Sequence, residues 1–243
     1  MRIPLTKYGL PEVVVYPAAI LALMIVAGLL GPAWLPLWAV VAVEAVLAMV
    51  LGWALMFFRD PYREPPGDDS LLLSPADGTV TDVEMVQDAE FVGGPALRVG
   101  IFLSIFNTHI NRAPCDATIE KITYRPGKYL NAMSPRAGKV NESNNITMVR
   151  TGPPQDRLLV RQISGAIARR IVCAAQEGQR LAGGEPFGMI KFGSRTELYL
   201  SPGEHVTCLV RIGDKVKAGV TPLMKYGPAP QPQPAVASTG TGS

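Results

Sequence analysis

Three textures of apolar and polar positions follow one another along the chain. From Val13 to Leu30 there is no charged residue, and from Ala33 to Phe58 the only one is Glu44. Each stretch is long enough to cross a hydrocarbon core of about 30 Å as a helix. The connection Gly31-Pro32-Ala33-Trp34-Leu35-Pro36 is short and turn-forming, which predicts a helical hairpin over residues 1–58 that returns the chain to its starting side. Arg2 and Lys7 precede the hairpin and Arg59 and Arg63 follow it, so the positive-inside rule puts both ends in the cytoplasm. A cleavable signal peptide fits less well, because a second apolar run comes at once. A pair of buried or re-entrant helices is the alternative on length grounds. A carboxylate within such a span is costly and often functional. Glu44 is read here as structural, neutral by protonation or paired at a helix contact.

After Phe58 the texture changes. Pro61, Pro65, Pro66 and Gly67 form a linker, and short apolar runs then alternate with turn residues: Leu97 to Phe106, Ile119 to Tyr124, Ile146 to Arg150, Leu158 to Ile163 and His205 to Ile212. That rhythm predicts a mainly β domain over residues 59–227, β-rich α+β rather than repeating βαβ units. From Pro228 to Ser243 the chain is rich in Pro, Gln, Ala, Ser, Thr and Gly, the composition of a disordered tail.

Composition changes this picture little. The chain has 243 residues, a net charge of +3 and three cysteines, Cys115, Cys173 and Cys208, with no Cys-x-x-Cys unit. That spacing argues against a zinc site and a disulfide framework and suits a reducing compartment. The charge allows attraction to an anionic lipid surface. No basic stretch interleaved with aromatics points to nucleic acid.

The candidate chemistry lies in three separate segments. Phe192-Gly193-Ser194-Arg195 sits between an apolar approach, Met189 and Ile190, and a strand-like Glu197-Leu198-Tyr199-Leu200. Asp77 lies in Ser74-Pro75-Ala76-Asp77-Gly78, and His109 in Asn107-Thr108-His109-Ile110-Asn111-Arg112. A serine hydroxyl is a poor nucleophile until a base takes its proton, and an imidazole is a dependable base when a carboxylate fixes its tautomer. Taken singly, each residue has an ordinary reading: Asp77 as a turn residue before Gly78, His109 as a satisfied core histidine, Ser194 as a turn serine.

From Phe58 to about Met224 the chain resembles the phosphatidylserine decarboxylase proenzymes of the short microbial type. The resemblance rests on the order of Phe58-Arg59-Asp60-Pro61, Ser74-Pro75-Ala76-Asp77-Gly78, the His109 segment ending in Asn111-Arg112-Ala113-Pro114, Gly127-Lys128-Tyr129-Leu130-Asn131-Ala132, Asn141-Glu142-Ser143-Asn144-Asn145, Ile163-Ser164-Gly165-Ala166-Ile167-Ala168-Arg169-Arg170, and Gly193-Ser194. Two departures stand out. Many relatives carry Thr where this chain has Arg195, and longer bacterial members carry a second histidine where it has Arg112.

What the resemblance implies is a membrane-bound enzyme of phospholipid synthesis that cuts itself between Gly193 and Ser194. Ser194, His109 and Asp77 would form the processing relay, and Ser194 would become an N-terminal pyruvoyl group. That group would form a Schiff base with the amine of phosphatidylserine and release carbon dioxide and phosphatidylethanolamine, without a metal or pyridoxal phosphate. Arg112, Arg169 and Arg170 are candidates for the substrate phosphate. The expected partners are the lipid substrate, membrane lipids, the two cleaved fragments for each other, and further copies in a homo-oligomer.

Two segments, Ser74 to Val80 and Ile212 to Gly219, are similar to the hairpins of lipoyl and biotinyl carrier domains. They suggest a small hairpin sandwich in which the first and last parts of the domain meet, bringing Asp77 near Ser194. Two rival functions follow: a membrane-bound serine hydrolase with Ser194 uncut, and a noncatalytic carrier module, for which Lys215 or Lys217 sits in the wrong half of the usual pattern.

Overall fold

The two apolar runs form helices, α1 (Glu12–Leu30) and α2 (Leu37–Phe57), joined by a tight turn at Gly31–Ala33. This computed structural model describes residues 5–88, 94–134, 136–166, 170–191, 193–201 and 206–227; His205, Arg169 and the tail expected from Pro228 onward lie outside them. Large apolar side chains stand open along the helices, with Leu29, Trp38 and Met49 each 74–75% exposed. The pair is therefore not the buried core of a soluble domain, and it has the length and composition to cross a membrane. Glu44 Oε1 is buried near Gly28 of α1, at the contact between the helices.

Beyond Phe58 the chain is mainly strand: β1 (Leu71–Leu73), β2 (Gly78–Asp88), β3 (Gly94–Leu103), β4 (Ile110–Arg112), β5 (Ala117–Arg125), then a single helical turn, α3 (Ala137–Val140), β6 (Ser143–Arg150) and β7 (Arg157–Ile163). The remainder comprises β8 (Ile171–Cys173), β9 (Arg180–Leu181), β10 (Pro186–Ile190), β11 (Ser194–Leu200), β12 (Val206–Cys208), β13 (Lys215–Val216) and β14 (Pro222–Tyr226). A curled eight-stranded sheet has the order β13-β2-β3-β11-β7-β6-β5-β9. Two three-stranded sheets, β1-β14-β12 and β4-β10-β8, complete the domain, and all the paired strands run antiparallel. Val99, Ile101, Ile146, Leu158, Val160 and Leu198 are among the fully buried residues of the main core.

The apolar runs at 119–124, 146–150 and 158–163 lie in β5, β6 and β7. The run from Leu97 overshoots. β3 stops at Leu103 because Ser104 and Asn107 close a turn, Asn107 N–H donating to Ser104 O at 2.9 Å while its side-chain oxygen accepts from Ser104 N–H at 2.9 Å. Of the last run, Val206–Cys208 is strand, whereas Ile212 is 68% exposed. The two carrier-like segments meet the rest of the domain as expected: β13 pairs with β2, Val216 opposite Gly78, and β14 pairs with β1.

The base of the helical hairpin is packed into the β domain. Tyr8, Val13, Phe57 and Phe58 cluster with Ile110 of β4 and Met189 of β10. Full burial of a phenylalanine is worth about 1.5–3 kcal/mol, so Phe57 and Phe58 hold the anchor firmly to the domain. Across the same junction Glu12 accepts from the buried Lys191 at 2.7 Å and faces Arg170 at 3.7 Å.

Candidate active site

Ser194 is the first residue of β11, paired on one side with Leu103 of β3. Successive side chains of a strand point to opposite faces. Ser194, Thr196, Leu198 and Leu200 therefore share one face of β11, and Arg195, Glu197 and Tyr199 the other. This alternation settles where the bulky Arg195 goes. It points away from Ser194 into a buried charge network, bonded to Asp82, to Thr81 Oγ1 at 2.8 Å and to Glu197 at 2.7 Å. Ser194 itself is fully buried, and its Oγ has no hydrogen-bond partner among the described residues. An unsatisfied buried hydroxyl costs about 1–3 kcal/mol. Gly193, immediately before it, has φ +62°, a left-handed conformation that other residues enter only with strain.

His109 lies across this junction. Its Nδ1 is 3.0 Å from the carbonyl oxygen of Asn107, which can only accept, so Nδ1 carries the proton. Nε2 then bears the ring's lone pair, which accepts the N–H of Gly193 at 3.3 Å. The ring packs on Phe57, the last residue of α2, with centroids 4.4 Å apart. Burial of the ring pushes its pKa down to about 4, outweighing the Asn107 carbonyl and the charge of Asp77, which favour the protonated form. A base with that pKa is unprotonated at neutral pH.

The third side of the junction is Gly165, after β7. A Cβ placed on Gly165 would lie 2.1 Å from the carbonyl oxygen of Gly193 and 3.3 Å from Ala132 Cβ, so the close approach requires glycine. Asn141 fixes this wall. Its side chain accepts from Leu130 N–H at 2.9 Å and donates to Leu130 O and Ser164 O, both at 2.8 Å.

Asp77 does not hold the imidazole by a hydrogen bond. Its carboxylate takes two bonds from Arg63, at 2.5 and 2.7 Å, and one from Ala218 N–H at 2.8 Å. It acts on His109 only through space, and Asn107 O makes the orienting contact that the resemblance implied for Asp77. Arg112 likewise differs from expectation. Its guanidinium is buried and bonds Asp60, Pro61 O at 3.1 Å and Gly184 O at 3.0 Å, which makes it a clamp on the linker after α2 rather than an open phosphate site. Arg170 is open, with its side chain 63% exposed at the edge of the anchor junction. Arg169 lies outside the described residues.

Asn107, Gly165, Arg63 and Phe57 are the contributors that sequence reasoning did not single out. Gly165 had a signal, a glycine after serine at the end of an apolar run. The carbonyl of Asn107 had none, since every residue has one.

The depressed pKa of His109 carries a stability consequence for an uncut chain. Between pH 4 and 6.5 the unfolded state binds a proton that the folded state refuses, so stability rises with pH through that window and is level above it. The gap is worth about 3 kcal/mol, and Ser194→Ala should lose that much more stability from pH 7 to pH 4 than Ser194→Ala with His109→Gln. Chemical unfolding in detergent checks this; parallel losses in the two proteins would contradict the burial of a neutral imidazole.

Comparison with known proteins bears on this geometry. The family model described as phosphatidylserine decarboxylase matches residues 50–223. A phosphatidylserine decarboxylase proenzyme of Symbiobacterium thermophilum is 47% identical over 184 residues, 76% of this chain and 82% of the relative. The proteins of the same description from Gluconacetobacter diazotrophicus and Rhodopirellula baltica are 44% and 39% identical, covering 73% and 92% of this chain and 78% and 89% of their own lengths. A match of this extent, spanning His109, Gly165 and Ser194, means that the chain belongs to the phosphatidylserine decarboxylase family.

Proposed function

We propose that the chain is a proenzyme that cuts itself between Gly193 and Ser194 and then decarboxylates phosphatidylserine to phosphatidylethanolamine at a membrane. The observation that carries this is the junction itself: a buried, unpartnered Ser194 Oγ after a left-handed Gly193, with the lone pair of His109 on one side and Gly165 on the other. Membership of the family supports the substrate.

In processing, His109 Nε2 takes the proton of Ser194 Oγ, which attacks the carbonyl carbon of Gly193. The bond from that carbon to Ser194 N breaks as the ester bond forms, and the proton passes to the nitrogen. Loss of the Ser194 α-proton then expels the Gly193 carboxylate and leaves dehydroalanine. Water replaces its nitrogen, releasing ammonia. The carbonyl of Gly193 is held by its close contact with Gly165, so the attacked carbon keeps one geometry through the first step. Asp77, paired with Arg63, acts through space on His109, and its charge favours the imidazolium formed there.

The residues present fit a pyruvoyl group at position 194. Ser194 is fully buried, and β11 is held by its pairing with β3 and β7 rather than by the chain before it. When formed, that group supplies an electrophilic carbonyl able to accept the electrons left as carbon dioxide departs. His109, bonded to the adjacent Gly193, is the candidate to return a proton to the product carbon. With Lys7, Arg59 and Arg63 flanking the helical hairpin, the β domain would face the cytoplasm.

Intact-mass spectrometry tests this directly. Two chains are expected, 1–193 and 194–243, the smaller lighter than its serine form by one ammonia and reducible by borohydride. A single chain with Ser194 unchanged that reacts with a serine-directed phosphonate would instead favour a hydrolase.

A further inference from the structure

Two loops that border the cleavage junction turn large apolar side chains outward. Phe106 is 62% exposed and Met133 61%, with Tyr129 and Leu130 open beside Met133. None of these residues belongs to the helical hairpin, yet both loops lie at its foot. The backbone oxygen of Phe106 accepts from Arg59 Nη2 at 3.0 Å, two residues beyond the end of α2. The second loop joins the site through an unbroken series of contacts: Phe57 packs on His109, His109 bonds Gly193, Gly193 lies on Gly165, and Gly165 abuts Ala132.

The charged residues of the second loop have one sign. From Gly127 to Val140 the sequence contains Lys128, Arg136 and Lys139 and no acidic residue, and all three cations are exposed. Across the site Lys7 and Arg170 are exposed at the foot of α1. Exposed apolar side chains in loops near the end of two apolar helices, with exposed lysine and arginine in the same segments, match the chemistry of an anionic bilayer surface. There the apolar tips enter the headgroup and upper acyl region, and the cations meet lipid phosphates.

We infer, resting on the lipid-substrate reading above, that Phe106, Tyr129, Leu130 and Met133 form a second membrane-docking surface, which seats the loops bordering the cleavage junction on an anionic bilayer independently of the helical hairpin. The hairpin keeps the enzyme at the membrane; this surface sets its tilt. A headgroup still embedded in the leaflet can then reach Ser194 without the lipid leaving the bilayer.

The test uses the full chain in lipid nanodiscs, with Cys115, Cys173 and Cys208 replaced by alanine and Met133→Cys carrying a polarity-sensitive fluorophore. In discs containing phosphatidylglycerol the emission should shift to the blue and be quenched by brominated lipid. Emission as in water, quenched by aqueous iodide, would overturn the proposal, and neither result requires turnover. In parallel, F106D with M133D should cut itself normally, lose about tenfold in decarboxylation of phosphatidylserine in bilayers, and keep its rate on monomeric dihexanoyl phosphatidylserine. Equal rates in bilayers for this variant and the unaltered enzyme would also overturn it. A fluorophore buried in lipid on a chain that decarboxylates neither substrate would leave the docking surface standing and remove the proposed reaction.

Discussion

Ser194→Ala is expected to leave the chain uncut at 243 residues and to reduce carbon dioxide release from phosphatidylserine to background. Removing the nucleophile of a covalent mechanism costs on the order of 10⁶-fold. Under the proposed mechanism the loss is compounded, because expulsion of that oxygen with the Gly193 carboxylate is what converts residue 194 into the electrophilic group. The substitution should not harm the fold. Ser194 Oγ is buried with no partner among the described residues, so its removal takes away a desolvation cost, and the variant should be as stable as the uncut chain or more so by about 1 kcal/mol. Gel electrophoresis, a carbon dioxide assay and a thermal melt read the three quantities. An uncut Ser194→Ala protein that still released carbon dioxide would dispose of the pyruvoyl mechanism, whereas one that failed to fold would contradict the account of the unpartnered hydroxyl.

Gly165→Ala is expected to slow self-cleavage by about 100-fold or more, although residue 165 carries no chemistry. The added carbon would stand 2.1 Å from the Gly193 carbonyl oxygen, so the scissile carbonyl must move by the better part of an ångström. A misplacement of that size at a reacting centre costs about 10²-fold, while overpacking costs about 1–3 kcal/mol of stability. The informative result is a folded chain that accumulates uncut over hours. Cleavage at the normal rate in a folded Gly165→Ala protein would mean that the carbonyl is not held from this side. The two substitutions differ in kind: Ser194→Ala removes an atom that reacts, and Gly165→Ala displaces one.

Much of this was legible in the chain. Uncharged runs of helical length have few ways to satisfy their backbone groups in a bilayer, so α1 and α2 follow from composition alone. Alternation of short apolar runs with turn residues identifies β5, β6 and β7 because each strand buries a face. Ser194 and His109 were found because nucleophile and base chemistry needs those residue types, and their order matches a known family.

Other features were not legible, for equally physical reasons. Asp77 was expected to orient the imidazole, but a carboxylate bonds whichever donors the fold brings nearest, and here those are Arg63 and Ala218 N–H. Arg112 stands where longer relatives have a histidine, and only packing shows it to be spent on Asp60 and two backbone carbonyls. Arg195 looked like an obstacle after the scissile bond until the pleat of β11 turned it to the opposite face, toward Asp82 and Glu197.

By itself the sequence determined the two apolar helices, the mainly β domain and the Gly-Ser junction, and it singled out Ser194 and His109 as candidates for nucleophile and base. These depend on residue type and on patterns local to the chain. Only the tertiary structure decided the tautomer of His109, the contact of Gly165 with the Gly193 carbonyl, the packing of the imidazole on the foot of α2 and the exposure of apolar side chains in the loops beside that junction. Each of those joins residues from distant strands, and which donor meets which acceptor is settled only when the sheets close around the core.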